Sequence, residues 1–291
     1  MRLDIFLAQK YPEYSRATFQ KLIEAGRVEA AGQTVTSPSV NVAENDDIKV
    51  HFPHQKTFAK EIEDFAKNVI YEDDNVVVIN KPAGVLTHMK GSLANEFTVA
   101  DFVRSRITAN DDSFTKSNRL GIVHRLDRGT SGVLIAAKNS ESAKFLTKQF
   151  QDRKAKKTYI ALVAKAPKVS AAHIDLPIGR NPKKPAEFRI DPKGKSAITD
   201  YKTLEVFDDG SALVELKPLT GRTHQLRVHM AHIGAPIVGD VVYGRAGGRM
   251  FLHAAELEIT IPRENDNERK AFMAPLPNDF QAEIERRRKS K

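Results

Sequence analysis

The segment at residues 121–138, GIVHRLDRGTSGVLIAAK, constrains the fold more than any other. From Gly132 it is apolar at nearly every position, without the alternation of a strand that keeps one wet face. Such a run reads as a buried strand, and a buried strand needs a sheet whose faces are both covered. The first half delivers Asp127 at the strand entry, between His124, Arg125 and Arg128. A cationic field favours the ionised carboxylate that a nucleophile or base requires. A lone Asp in a turn serves equally well as a structural cap. Between the two halves, Gly129-Thr130-Ser131-Gly132 lets backbone come close to backbone or to a ligand.

The chain has 291 residues, more than one average domain and fewer than three. It contains no cysteine, which excludes disulfides, a thiol nucleophile and cysteine-ligated metals. Basic residues outnumber acidic ones 46 to 37, a net charge of +9, which favours a polyanionic partner, nucleic acid before membrane. No apolar run reaches the roughly 18 residues of a transmembrane helix. The start MRLDIFLAQKYPEY carries Asp4 and has no small-residue cleavage site, so the cytoplasm is the expected location. Nothing calls for an oligomer or an obligate protein partner, and a monomer is expected.

Residues 1–53 read as a compact unit. A helix covers residues 3–10, and a second runs to Ala25 with Ser15 as its N-cap and Gly26 as its stop. Short strands follow, with a turn at Ala31-Gly32. Residues 54–67, with mixed charge and little periodicity, read as a linker. From residue 68 to 280 helices and strands mix. Strands are expected on both sides of the turn-like EDDN, at 132–138, at 157–165, twice within 197–217 and at 251–260. Helices are expected at 140–153, capped by Ser140, and at 223–233 with Leu226, Met230 and Ile233 inward. Residues 281–291 read as a frayed basic tail.

Two further segments bear on chemistry. In DRKAKKTYIALV, four cations (Arg153, Lys154, Lys156 and Lys157) precede Tyr159. Cations that hold phosphate beside an aromatic that stacks on a base make a nucleic-acid site, although a helix end followed by a core tyrosine gives the same pattern. In LTGRTHQLRVHMAH, Arg227 falls on a helix flank with His224, placed to pair with a carboxylate from elsewhere in the fold. His224, His229, His232 and His253 fit no common zinc spacing, so no metal is expected. Phosphate-loop, hydrolase-elbow, kinase and dinucleotide motifs are all absent.

Taken together, HRLDRGTSG with its strand, KKTYIALV, LTGRTHQLRVHM…GAPIVGDVVYG and VVVINKPAGVLTH resemble the RluA-type family of RNA pseudouridine synthases, over roughly residues 68–275. Residues 1–53 resemble the alpha-L RNA-binding fold named after a ribosomal small-subunit protein. The resemblance implies an α+β protein: a small α/β alpha-L module ahead of a catalytic domain built on a mixed, largely antiparallel sheet. It implies isomerisation of uridine to pseudouridine within RNA, without metal or organic cofactor. It makes Asp127 the essential carboxylate, Tyr159 the aromatic that stacks on the flipped uracil, and Arg227 the basic partner of Asp127. It also gives Arg125 a part in holding the base out of the stack. Extrusion of that kind costs a few kcal/mol, offset by stacking and pocket contacts. His124, Arg222, Arg153, Lys154, Lys156 and Lys157, with Arg16 and Lys21 of the first unit, are the expected RNA contacts. Ribosomal RNA of the large subunit is the leading substrate and transfer RNA the second; the alternative to catalysis is a non-catalytic RNA-binding or assembly factor that keeps the fold.

One feature runs against strong binding by the first unit. Residues 1–53 hold six cations against seven acids, a net of −1. The excess positive charge lies around 153–157, 180–195 and the ERRRKSK end, and those surfaces are expected to track phosphates. Residues 181–202 read as a hairpin reaching toward RNA or as an ordinary exposed loop.

Overall fold

A computed structural model describes the chain except residues 13, 53–56, 90–95, 108–113, 115–119, 246, 264–265 and 290–291. It divides into two compact units, residues 1–58 with 89–96 and the remainder.

The smaller unit packs α1 (Leu3–Lys10) and α2 (Arg16–Glu24) on a three-stranded antiparallel sheet of β1 (Val28–Ala30), β2 (Gln33–Thr34) and β3 (Ile48–Val50). The Ser15 side chain accepts from the Thr18 N–H, as its position before an apolar stripe predicts. Leu3, Leu7, Phe19, Leu22, Ile23 and Val28 are sealed from solvent. The β1–β2 turn falls at Ala31-Gly32, both with positive φ, the geometry of a tight hairpin.

The larger unit holds α3 (Ala59–Ala66), β4 (Val69–Glu72), β5 (Val76–Lys81), α4 (Val99–Arg104), β6 (Ser131–Ala137), α5 (Ser140–Gln151) and β7 (Lys156–Val163). These are followed by β8 (Ala171–Asp175), β9 (Ile178–Arg180), β10 (Phe188–Ile190), β11 (Ile198–Val206) and β12 (Ala212–Pro218). The chain ends with α6 (Gln225–His232), β13 (Leu252–Ile261), β14 (Glu268–Met273) and α7 (Asn278–Lys289). Its main sheet runs β4-β5-β6-β13-β7-β12-β11-β8, with β14 beside the far half of β13. Neighbours are antiparallel except β6 and β13, which run parallel. The architecture is the mixed, largely antiparallel one expected.

Residues on the two faces of β5 and β6 explain the apolar run. Val76, Val78, Val133 and Ile135 pack with Leu146 of α5 in one cluster. Val77, Ile79, Leu134 and Ala136 pack with Phe65 of α3 and Val99, Phe102 and Val103 of α4 in another. Every residue of β6 is therefore buried. At its start, Gly132 has φ +113°, and a Cβ there would overlap the Ala254 carbonyl of β13. The small-residue turn thus serves a backbone-to-backbone approach. Farther along the sheet, Val214 and Leu216 pack with Leu226 and Met230 of α6.

Four local expectations are revised. Residues 59–66, within the stretch read as a linker, form a helix; Phe65 is buried with ring centroids 5.2 Å from Phe97 and 5.1 Å from Phe102. An apolar anchor every turn was hidden by the surrounding charges. Residues 278–289 form α7, where the sequence predicts a frayed tail from 281; Phe280 and Ile284, one turn apart, are buried with Leu162 and Phe207. Its arginines are largely matched: Arg287 binds Glu283 and Asp209, and Arg288 binds Glu205 and Glu285. The cap of α5 is Asn139, whose side chain accepts from Ser142 N–H at 2.9 Å, in place of Ser140. Of 181–202, only β10 belongs to a short hairpin, whose other strand, β9, precedes the segment, while residues from Ile198 belong to the main sheet.

Candidate active site

Asp127 sits one residue after Leu126, whose main chain is clamped on both sides by one hydroxyl. Thr87 Oγ1 accepts the Leu126 N–H (3.2 Å) and donates to the Leu126 carbonyl (2.8 Å). Thr130 N–H closes the following turn on the Asp127 carbonyl at 3.0 Å. A cleft of about 600 Å³ opens over this loop, and Asp127, Tyr159, Arg227, Arg125, Lys157 and Arg222 all line it.

Arg227, from α6, reaches Asp127 across 100 residues of sequence: Nη1 donates to Oδ2 at 3.2 Å. Its other two edges are taken. Nε and Nη2 form a fork on Asp240, at 2.7 and 2.8 Å. Asp240 is wholly buried, and its Oδ1 also accepts the N–H groups of Val242 (2.9 Å) and Tyr243 (3.1 Å). Burial opposes the charge on both partners. The Arg227–Asp240 contacts outweigh it, holding Arg227 above its usual range and Asp240 below the usual carboxylate range. A planar guanidinium fixed at two nitrogens presents its third in one direction, so Asp127 meets a rigid donor.

Tyr159, in the middle of β7, packs against Leu126, Leu216 and Leu226 clusters on the cleft wall. Burial first, then the charge of Asp127, pushes its hydroxyl well above the usual phenol range, so it stays protonated at neutral pH. Strand alternation places Lys157 on the same face as Tyr159 and turns Lys156 to the other. Lys157 Nζ donates to the Thr220 carbonyl at 3.2 Å, and burial lowers it to about 8. Lys156 pairs with Glu258 at 3.3 Å. The run of four cations is therefore divided between faces, with Arg153 and Lys154 exposed beyond the strand's start.

Arg125 is exposed at the rim, its Nη1 donating to His88 Nε2 at 3.2 Å. Arg222 donates from Nε to the Ser196 carbonyl at 2.9 Å. His124 departs from the cationic role expected of it. Its Nε2 accepts the Ile135 N–H of β6 at 2.9 Å, and its ring stacks on Phe150 at 4.5 Å. Burial, with the neighbouring Lys157 adding, lowers it to about 3, so the ring is neutral and props the loop. In the smaller unit, Arg16 donates to the buried Asp4 at 2.9 Å, so its charge is partly met, while Lys21 is exposed. His229 and His253 are likewise engaged inside the protein, with Thr199 and Ser131 respectively. Among the described residues no group of three or more His, Asp or Glu side chains is placed to hold a metal ion.

A tyrosine, a carboxylate and a forked arginine facing one cleft suit chemistry on a flat polar ring turned into a pocket. The sequence model described as RNA pseudouridylate synthase matches residues 75–232, more than half the chain. The chain belongs to the RNA pseudouridylate synthase family. It is thus an isomerase that converts uridine to pseudouridine in RNA, and the S4 domain model, an RNA-binding module, matches residues 1–48. Ribosomal large subunit pseudouridine synthase D of Borreliella burgdorferi is 36% identical over 96% of this chain and 87% of its own length. An uncharacterized RNA pseudouridine synthase of Chloroflexus aurantiacus is 39% identical, over 96% and 88%. The solved structure of human RNA pseudouridylate synthase domain containing 4 superimposes with a TM-score of 0.61 at 26% identity, covering 79% of this chain and 96% of that one.

Two residues of this pseudouridine synthase's site escaped the sequence reading. Asp240 sits in GDVVYG, where an Asp two and three residues before free N–H groups is the signature of a turn closed on its own side chain. Lys81 ends β5 and is fully buried; Nζ donates to the carbonyls of Pro82 and Val85 at 2.8 Å and of Arg128 at 3.4 Å. Burial lowers it to about 7, against the opposing pull of Asp127. It pins the carbonyl next to Asp127 from below.

Proposed function

We propose that Asp127 is the carboxylate that acts on the target uridine, in large-subunit ribosomal RNA. The observation that supports it best is the placement of Asp127, Tyr159 and Arg227 on one cleft, with Arg227 Nη1 3.2 Å from Asp127 Oδ2. In this reading Tyr159 stacks on the flipped uracil, an interaction worth about 1–3 kcal/mol per base. Arg227 fixes the direction of Asp127 while the glycosidic bond breaks and the base rejoins through carbon 5. The reaction needs no cofactor. Arg125, at the cleft rim, helps hold the base out of the stack, and Arg222, Arg153, Lys154 and Lys157 meet phosphates around it. Relatives named as acting on the ribosomal large subunit, matched along 96% of this chain, support the substrate.

The same reading makes residues 1–53 the RNA-binding module and residues 68–280 the catalytic domain, acting as a monomer in the cytoplasm. No helix among the described residues is long and apolar enough to cross a membrane.

The test is incubation of the protein with total unmodified cellular RNA, followed by carbodiimide-adduct primer extension. Stops in large-subunit ribosomal RNA that vanish with Asp127→Asn are expected. Stops confined to transfer RNA would overturn the substrate, and stops that persist with Asp127→Asn would overturn the carboxylate.

A further inference from the structure

His224 and Tyr243 stand behind the reacting groups and belong to no step above. His224 is the residue before α6 and has a left-handed backbone, φ +58°, which a non-glycine residue adopts at a cost and which clusters at functional positions. Its Nδ1 lies 2.8 Å from Tyr243 Oη, and its Nε2 lies 3.8 Å from Asp127 Oδ2. Tyr243 Oη also accepts the Phe188 N–H of β10 at 2.8 Å. The Tyr243 ring lies under the Arg227 guanidinium, 5.1 Å from its centroid, and its own N–H is held by Asp240.

We propose that Tyr243 and His224 are positioning residues that aim Asp127: the Tyr243 hydroxyl donates to His224 Nδ1 and thereby presents His224 Nε2–H to Asp127 Oδ2. The phenol oxygen already accepts one N–H, which directs its own proton toward the ring nitrogen. With Nδ1 an acceptor, the neutral imidazole carries its proton on Nε2, the nitrogen facing the carboxylate. At 3.8 Å this contact is longer than a hydrogen bond, and the relay requires it to shorten when the uridine seats. Arg227 Nη1 and His224 Nε2 both address Oδ2. The two donors therefore leave Oδ1 as the oxygen turned to the substrate. The outer end of the relay is the β9–β10 hairpin, so the aim of Asp127 depends on that hairpin being in place.

The inference rests on Asp127 and Arg227 being the reacting centre, and its test separates the two. Tyr243→Phe keeps the ring under Arg227 and removes only the hydroxyl. His224→Asn keeps a residue that tolerates the left-handed backbone but is too short to join Tyr243 to Asp127. Each is expected to lower kcat about tenfold with KM for the RNA unchanged, and the double variant is expected to lose no more than either alone, because the residues act as one unit. In the ¹⁵N spectrum of histidine-labelled protein, the signal lost in His224→Asn is expected to show the Nε2–H tautomer, and to lose that pattern in Tyr243→Phe. A folded Tyr243→Phe protein with kcat within twofold of the parent, or losses that multiply in the double variant, would overturn the relay. Activity surviving in Asp127→Asn, run alongside, would instead overturn the reading of the centre itself.

Discussion

Arg227→Ala is the substitution whose cost follows most directly from the geometry. It strips Asp240 of its counter-charge and of both fork hydrogen bonds, at 2.7 and 2.8 Å, while Asp240 stays wholly buried. Two backbone N–H groups on Oδ1 are what remains. Removing one member of a buried pair costs about 3–5 kcal/mol, mostly the penalty of the uncompensated charge. The cost also has a predictable pH dependence. In the parent, burial raises Asp240 but Arg227 lowers it further, so its net contribution is stabilising above the unfolded carboxylate range and fades as pH falls through the folded value. In the variant burial dominates, the carboxyl titrates above its unfolded value, and stability is lost as pH rises through that range. The difference between the two proteins is therefore largest at neutral pH and shrinks toward pH 4. Urea unfolding followed by circular dichroism, at intervals from pH 4 to 8, measures it. A cost below about 1 kcal/mol at pH 7, or one that stays flat across the series, would refute the account of Asp240 as a buried charge sustained by Arg227.

Gly132→Ala is expected to prevent stable folding of the larger unit, because the new Cβ meets the Ala254 carbonyl and φ is +113°; expression and a thermal melt decide it. Burial lowers Lys81 to about 7, so the unfolded chain holds the extra proton between pH 7 and about 10.5 and stability gains from rising pH over that window; Lys81→Met removes this part of the slope in pH-dependent unfolding. Arg153→Ala and Lys154→Ala are each expected to weaken RNA binding and to reduce the slope of log K against log salt by about 0.7–0.9, measured by filter binding at several salt concentrations.

The sequence was most legible where one local rule settled the outcome. Ser15 reads as a cap because the helix it starts leaves orphan N–H groups, and β6 reads as doubly buried because Val133 to Ala137 are apolar without alternation. Asp127 and Arg227 stood out as residue types, and their meeting required the sheet to bring positions 100 residues apart together. Asp240 was missed since a carboxylate that closes its own turn looks like any loop residue, and its hold on Arg227 exists only in three dimensions. His124 was misread for the opposite reason. Its neighbours in sequence are cations, but its neighbours in space are Phe150 and a strand N–H, which favour the neutral ring. Lys81 carries no local mark of burial in the sequence, although three carbonyls enclose its ammonium. In α3 and α7 the charges, being numerous, mask the few apolar anchors, Ile62 and Phe65 in one and Phe280 and Ile284 in the other, that decide where each helix lies.

The place of β13 has a consequence for how the molecule comes into being. It is the seam between two half-sheets, β4-β5-β6 on one side and β7-β12-β11-β8 on the other. All seven of those strands leave the ribosome before residue 252 does. Until then β6 and β7 present unpaired edges, one of them apolar from Val133 to Ala137, and such edges invite association with other chains. The halves that carry Asp127 and Arg227 are joined only once the seam is sewn. A chain that stops short of β13 is therefore both inactive and prone to aggregate, so the cell sees the loss of about the last seventh of this protein as a hazard as well as a missing enzyme.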